Sequence, residues 1–181
     1  MMEPTLKQIL AGCGRGDASA QRRLFEGYKN QLFAICLRYS RDRPEAQDIL
    51  QDAFLIIYRD LHQYNGSGAF EGWLHRVTVR TALQHLRRKN PLRAAEDYDE
   101  LPPDTHNVVP DTERTCEAIL QMVQQLPAGY RTVFNLHCIE HYSYPESAAE
   151  LGISESSVRS QYARACKQLR LQLDKLLTFT F

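Results

Sequence analysis

The segment from Gly152 onward combines a turn with a helix that carries short polar and basic side chains. Gly152, Ile153 and the capping Ser154 form the turn, and an apolar stripe through Val158 and Ala165 then recurs at helical spacing. Short hydroxyls and amides suit contacts with base edges, and arginine or lysine suits contacts with bases or phosphates. The residues expected to face away from the stripe are Glu155, Ser156, Ser157, Arg159, Ser160, Gln161, Arg164 and Lys167.

The elements around this turn predict a helix-turn-helix. The segment from Pro145 to Leu151 precedes the turn, and a longer helix through Tyr162 and Leu169 follows it. In this motif the second helix enters the major groove of DNA. The alternative is the solvated face of an ordinary helix, and the turn at Gly152 favours the helix-turn-helix.

A second candidate surface lies on an arginine-rich segment near the middle of the chain. Its apolar residues recur at helical spacing between Phe70 and Leu86, and Glu71 is its one acid. A basic band opposite an apolar stripe suits the phosphate backbone of a nucleic acid. The band consists of His75, Arg76, Arg80, His85, Arg87, Arg88 and Lys89.

The loop before this helix places glycines between aromatic residues. Tyr64, Phe70 and Trp73 flank the loop Asn65-Gly66-Ser67-Gly68. Such an arrangement can stack on an unpaired base or enclose it. The alternative is that Phe70 and Trp73, at positions i and i+3, are core residues. For Trp73 we favour core packing, and for the loop both interpretations stay open.

Two further clusters suggest a docking surface and a metal site. Asp48, Gln51, Asp52 and Leu55 lie on adjacent turns of a predicted helix and would suit a partner helix that carries arginines, although such faces are usually only solvated. The pair His137 and His141 has a spacing that can bind a metal, but the sequence offers no third ligand nearby. We therefore predict neither a metal nor a cofactor. The sequence contains no phosphate loop, nucleophile elbow or catalytic carboxylate pair, so we predict no enzymatic activity.

The elements that must position these residues are helices throughout. Asp17 is a predicted N-cap for a stripe that runs from Leu24 to Tyr39, and Pro44 suits the first turn of a second helix. After the middle of the chain, a short helix around Ile119 ends at Pro127, and another begins near Tyr130. No apolar alternation is long enough to predict a strand.

The charges divide the chain into three parts. Residues 1–90 carry 14 basic and 9 acidic side chains, residues 91–117 carry 2 and 8, and residues 118–181 carry 6 and 5. The middle part also holds four of the eight prolines, which is typical of an extended linker. We therefore predict an all-α fold: two small helical domains joined by a flexible acidic linker, the second containing the helix-turn-helix.

Composition and the termini indicate a cytoplasmic protein. The longest apolar run, from Leu32 to Leu37, is far shorter than the roughly 20 residues of a membrane span. The first residues, Met-Met-Glu-Pro, do not resemble an export signal. An odd number of scattered cysteines predicts reduced thiols; these are Cys13, Cys36, Cys116, Cys138 and Cys166.

Four segments of the chain occur together in one known family. They are Glu45-Ala-Gln-Asp-Ile-Leu-Gln-Asp-Ala-Phe54, Phe70-Glu-Gly-Trp-Leu-His-Arg76, Leu86-Arg-Arg88 and Ala149-Glu-Leu-Gly-Ile-Ser154. In order and spacing the chain resembles the extracytoplasmic-function (ECF) class of bacterial RNA polymerase sigma factors, from about Asp17 to Leu171.

The resemblance implies a role for each cluster. The first domain, region 2, would bind the clamp helices of RNA polymerase core through Asp48, Gln51, Asp52 and Leu55. It would engage the promoter −10 element, its glycine loop receiving a flipped base, through Tyr64, Asn65, Gly66, Ser67, Phe70 and Trp73. The melting strand would be held by Arg76, Arg80, Arg87 and Arg88. The second domain, region 4, would contact the polymerase flap and read the −35 element through Ser154, Ser156, Ser157, Arg159, Gln161, Arg164 and Lys167.

The resemblance also implies partners. The acidic linker would thread toward the RNA exit path, and binding energy would open the DNA without covalent chemistry. The expected partners are RNA polymerase core, promoter DNA and a membrane-anchored anti-sigma factor, with no direct membrane insertion by this chain.

Some residues depart from the family pattern. Arg80 and Gln84 stand where relatives commonly carry Asn and Asp, which bears on the −10 base preference. Pro145 and Ser147 predict a short or loosely packed first helix in the helix-turn-helix.

Two other functions are compatible with parts of the sequence. One is a sigma-like decoy that sequesters an anti-sigma protein without binding DNA, and the other is a plain helix-turn-helix regulator. A decoy has no need for the basic band, and a plain regulator leaves the first domain unexplained. Both points favour the sigma factor.

Overall fold

The computed structural model describes residues 5–64, 66, 68–89 and 112–178. Within these residues it contains eight α-helices and no strand, which confirms the all-α prediction. The chain divides into two compact units, Met1–Gln84 and His85–Phe181. The division into domains at 1–90, 91–117 and 118–181 stays a prediction, and most of the predicted linker, residues 90–111, lies outside the described residues.

The first unit is built from four helices. They are α1 (Leu6–Gly14), α2 (Ala18–Tyr39), α3 (Arg43–Asp60), which continues into a short 3-10 turn (Leu61–Gln63), and α4 (Phe70–Lys89), within which the boundary between the units falls. The helix α2 packs against both α1 and α3. The fully buried side chains of this region include Leu24, Leu32, Tyr39, Ile49, Ile57, Leu74 and Leu83.

The ends of α2 and α3 follow from their capping residues. The Asp17 carboxylate accepts hydrogen bonds from the Ser19 and Ala20 amides at 2.8 and 3.4 Å, which confirms the predicted N-cap of α2. At the start of α3, the Asp42 carboxylate accepts from the Glu45 amide at 2.8 Å, and Pro44 lies in the first turn as predicted.

The sequence analysis missed α1. This helix approaches α2 so closely that a Cβ atom on Gly12 would lie 2.6 Å from the Ala20 Cβ atom. Glycine is therefore required at this crossing, even though it disfavours a helix interior. Leu6, Ile9, Leu10 and Cys13 recur at helical spacing, and Thr5 with Gln8 forms a capping box, so the sequence did carry a local signal for this helix.

The second unit contains the other helices. They are α5 (Thr112–Gln125), α6 (Ala128–Phe134), which continues into a π-helical turn (Asn135–Ile139), α7 (Tyr144–Leu151) and α8 (Glu155–Thr178). The helix α8 packs against α5, α6 and α7. The helix α5 begins at Thr112, inside the range 91–117 that the sequence predicts as the linker.

The helix-turn-helix is formed by α7 and α8. Ser143 and Glu146 make a reciprocal capping box at the start of α7, with Pro145 in the first turn. Gly152 ends α7 in the left-handed region, at a φ of 67°, where glycine carries little strain. The first helix is short, with eight residues, as Pro145 predicted, but Ser147 is fully buried within it.

Candidate nucleic-acid interface

The first turn of α8 presents short polar side chains to solvent. The Ser157 amide donates to the Ser154 hydroxyl at 3.1 Å, which confirms Ser154 as the N-cap, and the Ser154 and Ser156 hydroxyls lie 3.0 Å apart. Ser154 and Ser156 are exposed and Ser157 is half-buried. The basic side chains that follow on exposed positions of the helix are Arg159, Arg164, Lys167 and Arg170.

Gln161 does not lie on this exposed face. Only 6% of its surface is accessible, and its amide nitrogen donates to the Ser157 hydroxyl at 3.2 Å. The expectation that Gln161 faces away from the apolar stripe is therefore wrong. Its position follows from helical spacing, because Gln161 is three residues after the buried Val158 and four before the buried Ala165.

Arg159 is held from two sides. Its guanidinium donates to the Glu155 carboxylate at 3.0 Å through Nε and at 2.5 Å through Nη2. It also lies over the Tyr144 ring, with 4.4 Å between the guanidinium carbon and the ring centroid. The direction of the Arg159 side chain is thus set by Glu155 of α8 and by Tyr144 of α7.

His137, which was considered as a metal ligand and not predicted as one, contacts Tyr144. The His137 ring stacks on Tyr144 at 4.3 Å between centroids, and its Nδ1 atom lies 2.8 Å from the Tyr142 carbonyl oxygen. His141 is exposed on the adjacent turn, at a φ of 60°. Among the described residues, no group of three His, Cys, Asp or Glu side chains is arranged to hold a metal.

The arginines of α4 border an open groove in the first unit. A groove of about 320 Å³ is lined by Arg59, Trp73, Arg76, Arg80 and Gln84, together with apolar and polar residues of α3. Arg76 and Arg80 are exposed, and Arg87 and Arg88 are exposed further along the same helix. Arg59 forms an ion pair with the Asp60 carboxylate at 2.7 Å. Arg76 and Arg80 of α4 add further positive charge at the groove.

Aromatic rings support the loop before α4. The Phe70 ring lies 5.0 Å from Tyr64, 5.6 Å from Tyr28 and 5.8 Å from Trp73, all between centroids. Phe70 is only 2% exposed, so it has the core position that the sequence analysis weighed as an alternative, whereas Tyr64 and Trp73 are half-buried.

The glycine loop is closed by a hydrogen bond from the Tyr64 hydroxyl to the Gly68 carbonyl oxygen at 2.9 Å. Gly66 and Gly68 both have a φ of 79°, a backbone conformation that glycine adopts readily and other residues rarely do. Asn65 and Ser67, which we expect to contact DNA, lie outside the described residues.

The acidic patch of α3 is a separate surface. Asp48, Gln51 and Leu55 are exposed, and Asp52 is half-buried. Leu55 is 62% exposed, which is the largest exposure among the large apolar side chains in the described ranges. The patch therefore combines an apolar side chain with carboxylates on one helix face, as the sequence predicted.

One residue of these surfaces was not found from the sequence. Tyr144 contributes to the arginine contact. The signal for Tyr144 is its position at the start of α7, but only the packing of α7 against α8 shows which side chain it meets.

Comparison with known proteins assigns both units to one family. Residues 24–91 match the family model for Sigma-70 region 2, and residues 116–169 match that for Sigma-70, region 4. The RNA polymerase sigma-H factor of Pseudomonas aeruginosa is 32% identical over 185 residues, which cover 94% of this chain and 95% of that protein.

The ECF RNA polymerase sigma factor SigM of Mycobacterium tuberculosis is 31% identical over 174 residues, which cover 95% of this chain and 84% of that protein. The ECF sigma factor SigE of Mycolicibacterium smegmatis is 32% identical over 158 residues, and this chain spans 61% of its length. A solved structure of the sigma factor RpoE with the anti-sigma factor NepR from Bartonella quintana has a TM-score of 0.51 at 15% identity, covering 84% of this chain and 96% of that one.

The structural likeness supports the helical fold alone, and the sequence matches establish the family. The chain belongs to the ECF family of RNA polymerase sigma factors. Among the described residues, no helix combines the length and the apolar character that a membrane span requires.

Proposed function

We propose that this sigma factor binds RNA polymerase core and directs initiation at specific promoters, with −10 recognition and melting in the first unit and −35 recognition in the second. One observation carries this division of labour: the exposed arginines of the first unit border an open groove, whereas Arg159 of the second is fixed at a helix-turn-helix. Phosphate contacts position a protein, and oriented side chains read bases.

The groove of the first unit fits a single DNA strand. Arg76 and Arg80 supply charge along one wall, and Trp73 supplies a partly exposed ring on which a base can stack. Arg87 and Arg88 extend the charge along α4. We propose that the melted −10 strand follows this helix.

The glycine loop is the proposed site for a flipped base. The positive φ values of Gly66 and Gly68 let the backbone come close to a ligand, and Tyr64 closes the loop. Phe70 supports the loop from the core, and Asn65 and Ser67 are proposed to contact the base. Because Phe70 is buried, its role is to position Tyr64 and Trp73.

The −35 element is proposed to lie against the start of α8. The side chains that would contact it are Ser154, Ser156, Ser157, Arg159, Arg164 and Lys167. Gln161 takes part indirectly, because its hydrogen bond to Ser157 orients that hydroxyl.

The exposed patch of α3 is the proposed contact with the polymerase clamp helices. Leu55 supplies apolar area, and Asp48, Gln51 and Asp52 supply acceptors for basic side chains of the partner. A contact of the second unit with the polymerase flap follows from the family alone.

An anti-sigma factor is a proposed regulator. The sigma factor RpoE of Bartonella quintana was solved with the anti-sigma factor NepR, and this chain shares its fold. The membrane anchor of such a regulator, the path of the acidic linker toward the RNA exit, and a cytoplasmic location beside the polymerase are parts of the same proposal. The reaction involves binding energy only, with no enzymatic step.

A sigma-like decoy is the second candidate, and it predicts a different surface. A decoy binds an anti-sigma protein and needs no exposed arginines on α4. Arg76 and Arg80 are exposed at a groove, which favours the initiating sigma factor. A plain helix-turn-helix regulator would leave the first unit and its groove without a role.

Run-off transcription tests the proposal. Purified core polymerase is supplied with fragmented DNA from the source organism, with and without the full chain. Discrete start sites that depend on the chain support the initiating sigma factor, and the DNA upstream of them gives both recognition elements. Binding to core without any start site would favour the decoy, and failure to bind core would contradict the proposal.

A further inference from the structure

Two cysteine side chains of the second unit meet at one tyrosine. The Sγ atom of Cys138, in the π-helical turn before α7, lies 3.1 Å from the Tyr162 hydroxyl oxygen. Cys166 lies one helical turn beyond Tyr162 on α8 and also acts on this hydroxyl, as the raised pKa of Tyr162 indicates. The two thiols therefore share one tyrosine as a neighbour, although they come from different elements.

Exposure separates this pair from the other cysteine side chains that the structure describes. Cys138 is exposed and Cys166 is half-buried, whereas Cys13 and Cys36 are buried. Burial raises the pKa of Cys36 to about 12 and also raises that of Cys13. Since the thiolate is the reactive form, the buried thiols are both inaccessible and unreactive at neutral pH.

The shared hydroxyl favours reaction at the pair. The pKa of Tyr162 is raised, first of all by its hydrogen bonds with the two thiols, so the phenol stays protonated. A protonated phenol can donate to a thiolate, and a hydrogen bond to the charged form stabilises it. Tyr162 is therefore placed to donate a hydrogen bond to the Cys138 sulfur atom.

We propose that Cys138 and Cys166 are a thiol pair that a peroxide converts to a reversible disulfide. The Cys138 thiolate attacks one peroxide oxygen and breaks the O–O bond, which gives a sulfenic acid and one water. The Cys166 thiolate then attacks the sulfenic sulfur, which forms the S–S bond and releases the second water. Two thiols are oxidised, one peroxide is reduced, and both thiol protons end in water.

The disulfide would disturb the DNA-reading helix. An S–S bond of about 2.05 Å leaves no room for the Tyr162 hydroxyl between the two sulfur atoms. The Tyr162 ring lies edge-on to His137 at 4.7 Å and to Tyr144 at 6.1 Å, and Tyr144 supports Arg159. We therefore expect oxidation to weaken −35 recognition; this consequence rests on the proposed function, whereas the chemistry of the pair does not.

Mass spectrometry of the full chain tests the chemistry. After treatment with one equivalent of hydrogen peroxide, the wild type should lose two hydrogens, and a peptide map should link Cys138 to Cys166. Cys138→Ser and Cys166→Ser should not lose them, whereas the control Cys116→Ser should. The Tyr162→Phe variant should form the link several-fold more slowly. Loss of hydrogens in either pair variant, or a sulfinic acid at Cys138 without a link, would overturn the proposal.

Transcription then tests the consequence separately. With the promoter found by run-off transcription, the linked protein should give about 2- to 5-fold less transcript, the effect of losing one cation–π contact. A thiol reductant should restore the signal, and Cys166→Ser should be insensitive to peroxide. A linked protein with unchanged transcription would overturn the regulatory consequence. An inactive reduced protein that still forms the link would contradict the proposed function and leave the thiol pair confirmed.

Discussion

The two arginine-bearing helices hold their guanidinium groups in different ways. On α4, Arg76 and Arg80 are exposed beside a groove, and among the described residues no ion pair holds either of them. On α8, Arg159 is fixed by the Glu155 carboxylate and the Tyr144 ring. The difference fits the two tasks proposed for these residues, because a phosphate contact needs charge and reach, whereas base readout needs a fixed direction.

The largest effect is expected for the exposed arginines of α4. Replacing Arg76 and Arg80 together by alanine removes the two charges that are proposed to contact the DNA backbone. We expect promoter affinity of the holoenzyme to fall about 100-fold, since one charged hydrogen bond contributes about 1.5 kcal/mol or more. The slope of log K against log salt should become less steep by roughly 1.4, for two phosphates of a single strand. Binding of the holoenzyme to promoter DNA, measured from low to moderate salt, checks both the loss of affinity and the change in slope.

A matched control keeps this prediction specific. Arg22 and Arg23 are exposed on α2, so their replacement by alanine removes the same charge from another face of the unit. The control pair should leave the salt slope within error of the wild type. Equal losses for both pairs would mean that net charge, and not the groove, attracts the DNA.

A smaller effect is expected for Arg159 on α8, whose side chain is held by its neighbours. Tyr144→Leu removes the ring under Arg159 but keeps every charge, so −35 affinity should fall about 2- to 5-fold while the salt slope stays unchanged. Base preference at the −35 position contacted by Arg159 should also relax. Tyr144→Phe keeps the ring and should behave like the wild type in a competition assay with mutated −35 sites. A changed salt slope in Tyr144→Leu would refute the orienting role.

A substitution at the N-cap of α7 should lower the stability of the fold and leave the −35 base preference unchanged. Ser143→Ala removes the cap of α7, in which the Glu146 amide donates to the Ser143 hydroxyl. We expect the free energy of unfolding to fall by about 1 kcal/mol, measured by thermal or urea denaturation. Ser160→Ala, at an exposed position of α8, is the control and should change it little. A shift in −35 base preference for Ser143→Ala would show that the cap also orients the reading helix.

The smallest effect is expected for the ion pair itself. Glu155→Gln removes the carboxylate beside Arg159 but leaves the Tyr144 ring in place. Both partners are well exposed, so the free energy of unfolding should change by no more than about 0.5 kcal/mol. A larger loss of −35 discrimination than in Tyr144→Leu would mean that the carboxylate, and not the ring, directs Arg159.

Much of the fold followed from local sequence signals. Helical periodicity predicted α2 to α4, Asp17 and Pro44 predicted two helix starts, and Gly152 predicted the turn of the helix-turn-helix. These features depend on residues close together in sequence, so the amino-acid sequence is enough to predict them. The exposed positions of Arg76, Arg80, Arg159 and Arg164 followed for the same reason.

One missed element, α1, has a local signal, because its apolar residues Leu6, Ile9, Leu10 and Cys13 recur at helical spacing. The other missed features depend on packing between elements. Gln161 turns inward because α8 is covered on that side, and the stack of His137, Tyr144 and Tyr162 joins three separate elements. Spacing along one helix predicts the pair of Glu155 and Arg159, but it does not reveal the Tyr144 ring that also contacts Arg159.

The most direct test of the central claim is a double-mutant cycle between protein and promoter. Run-off transcription is measured for wild type, Arg159→Ala and Arg76→Ala on the native promoter and on promoters with substitutions in the −10 or the −35 element. The account predicts that Arg159→Ala couples energetically to −35 substitutions alone, whereas Arg76→Ala lowers transcription from every promoter by a similar factor and couples to neither element. Coupling of Arg159 to the −10 element, or of Arg76 to the −35 element, would contradict the assignment of the two surfaces.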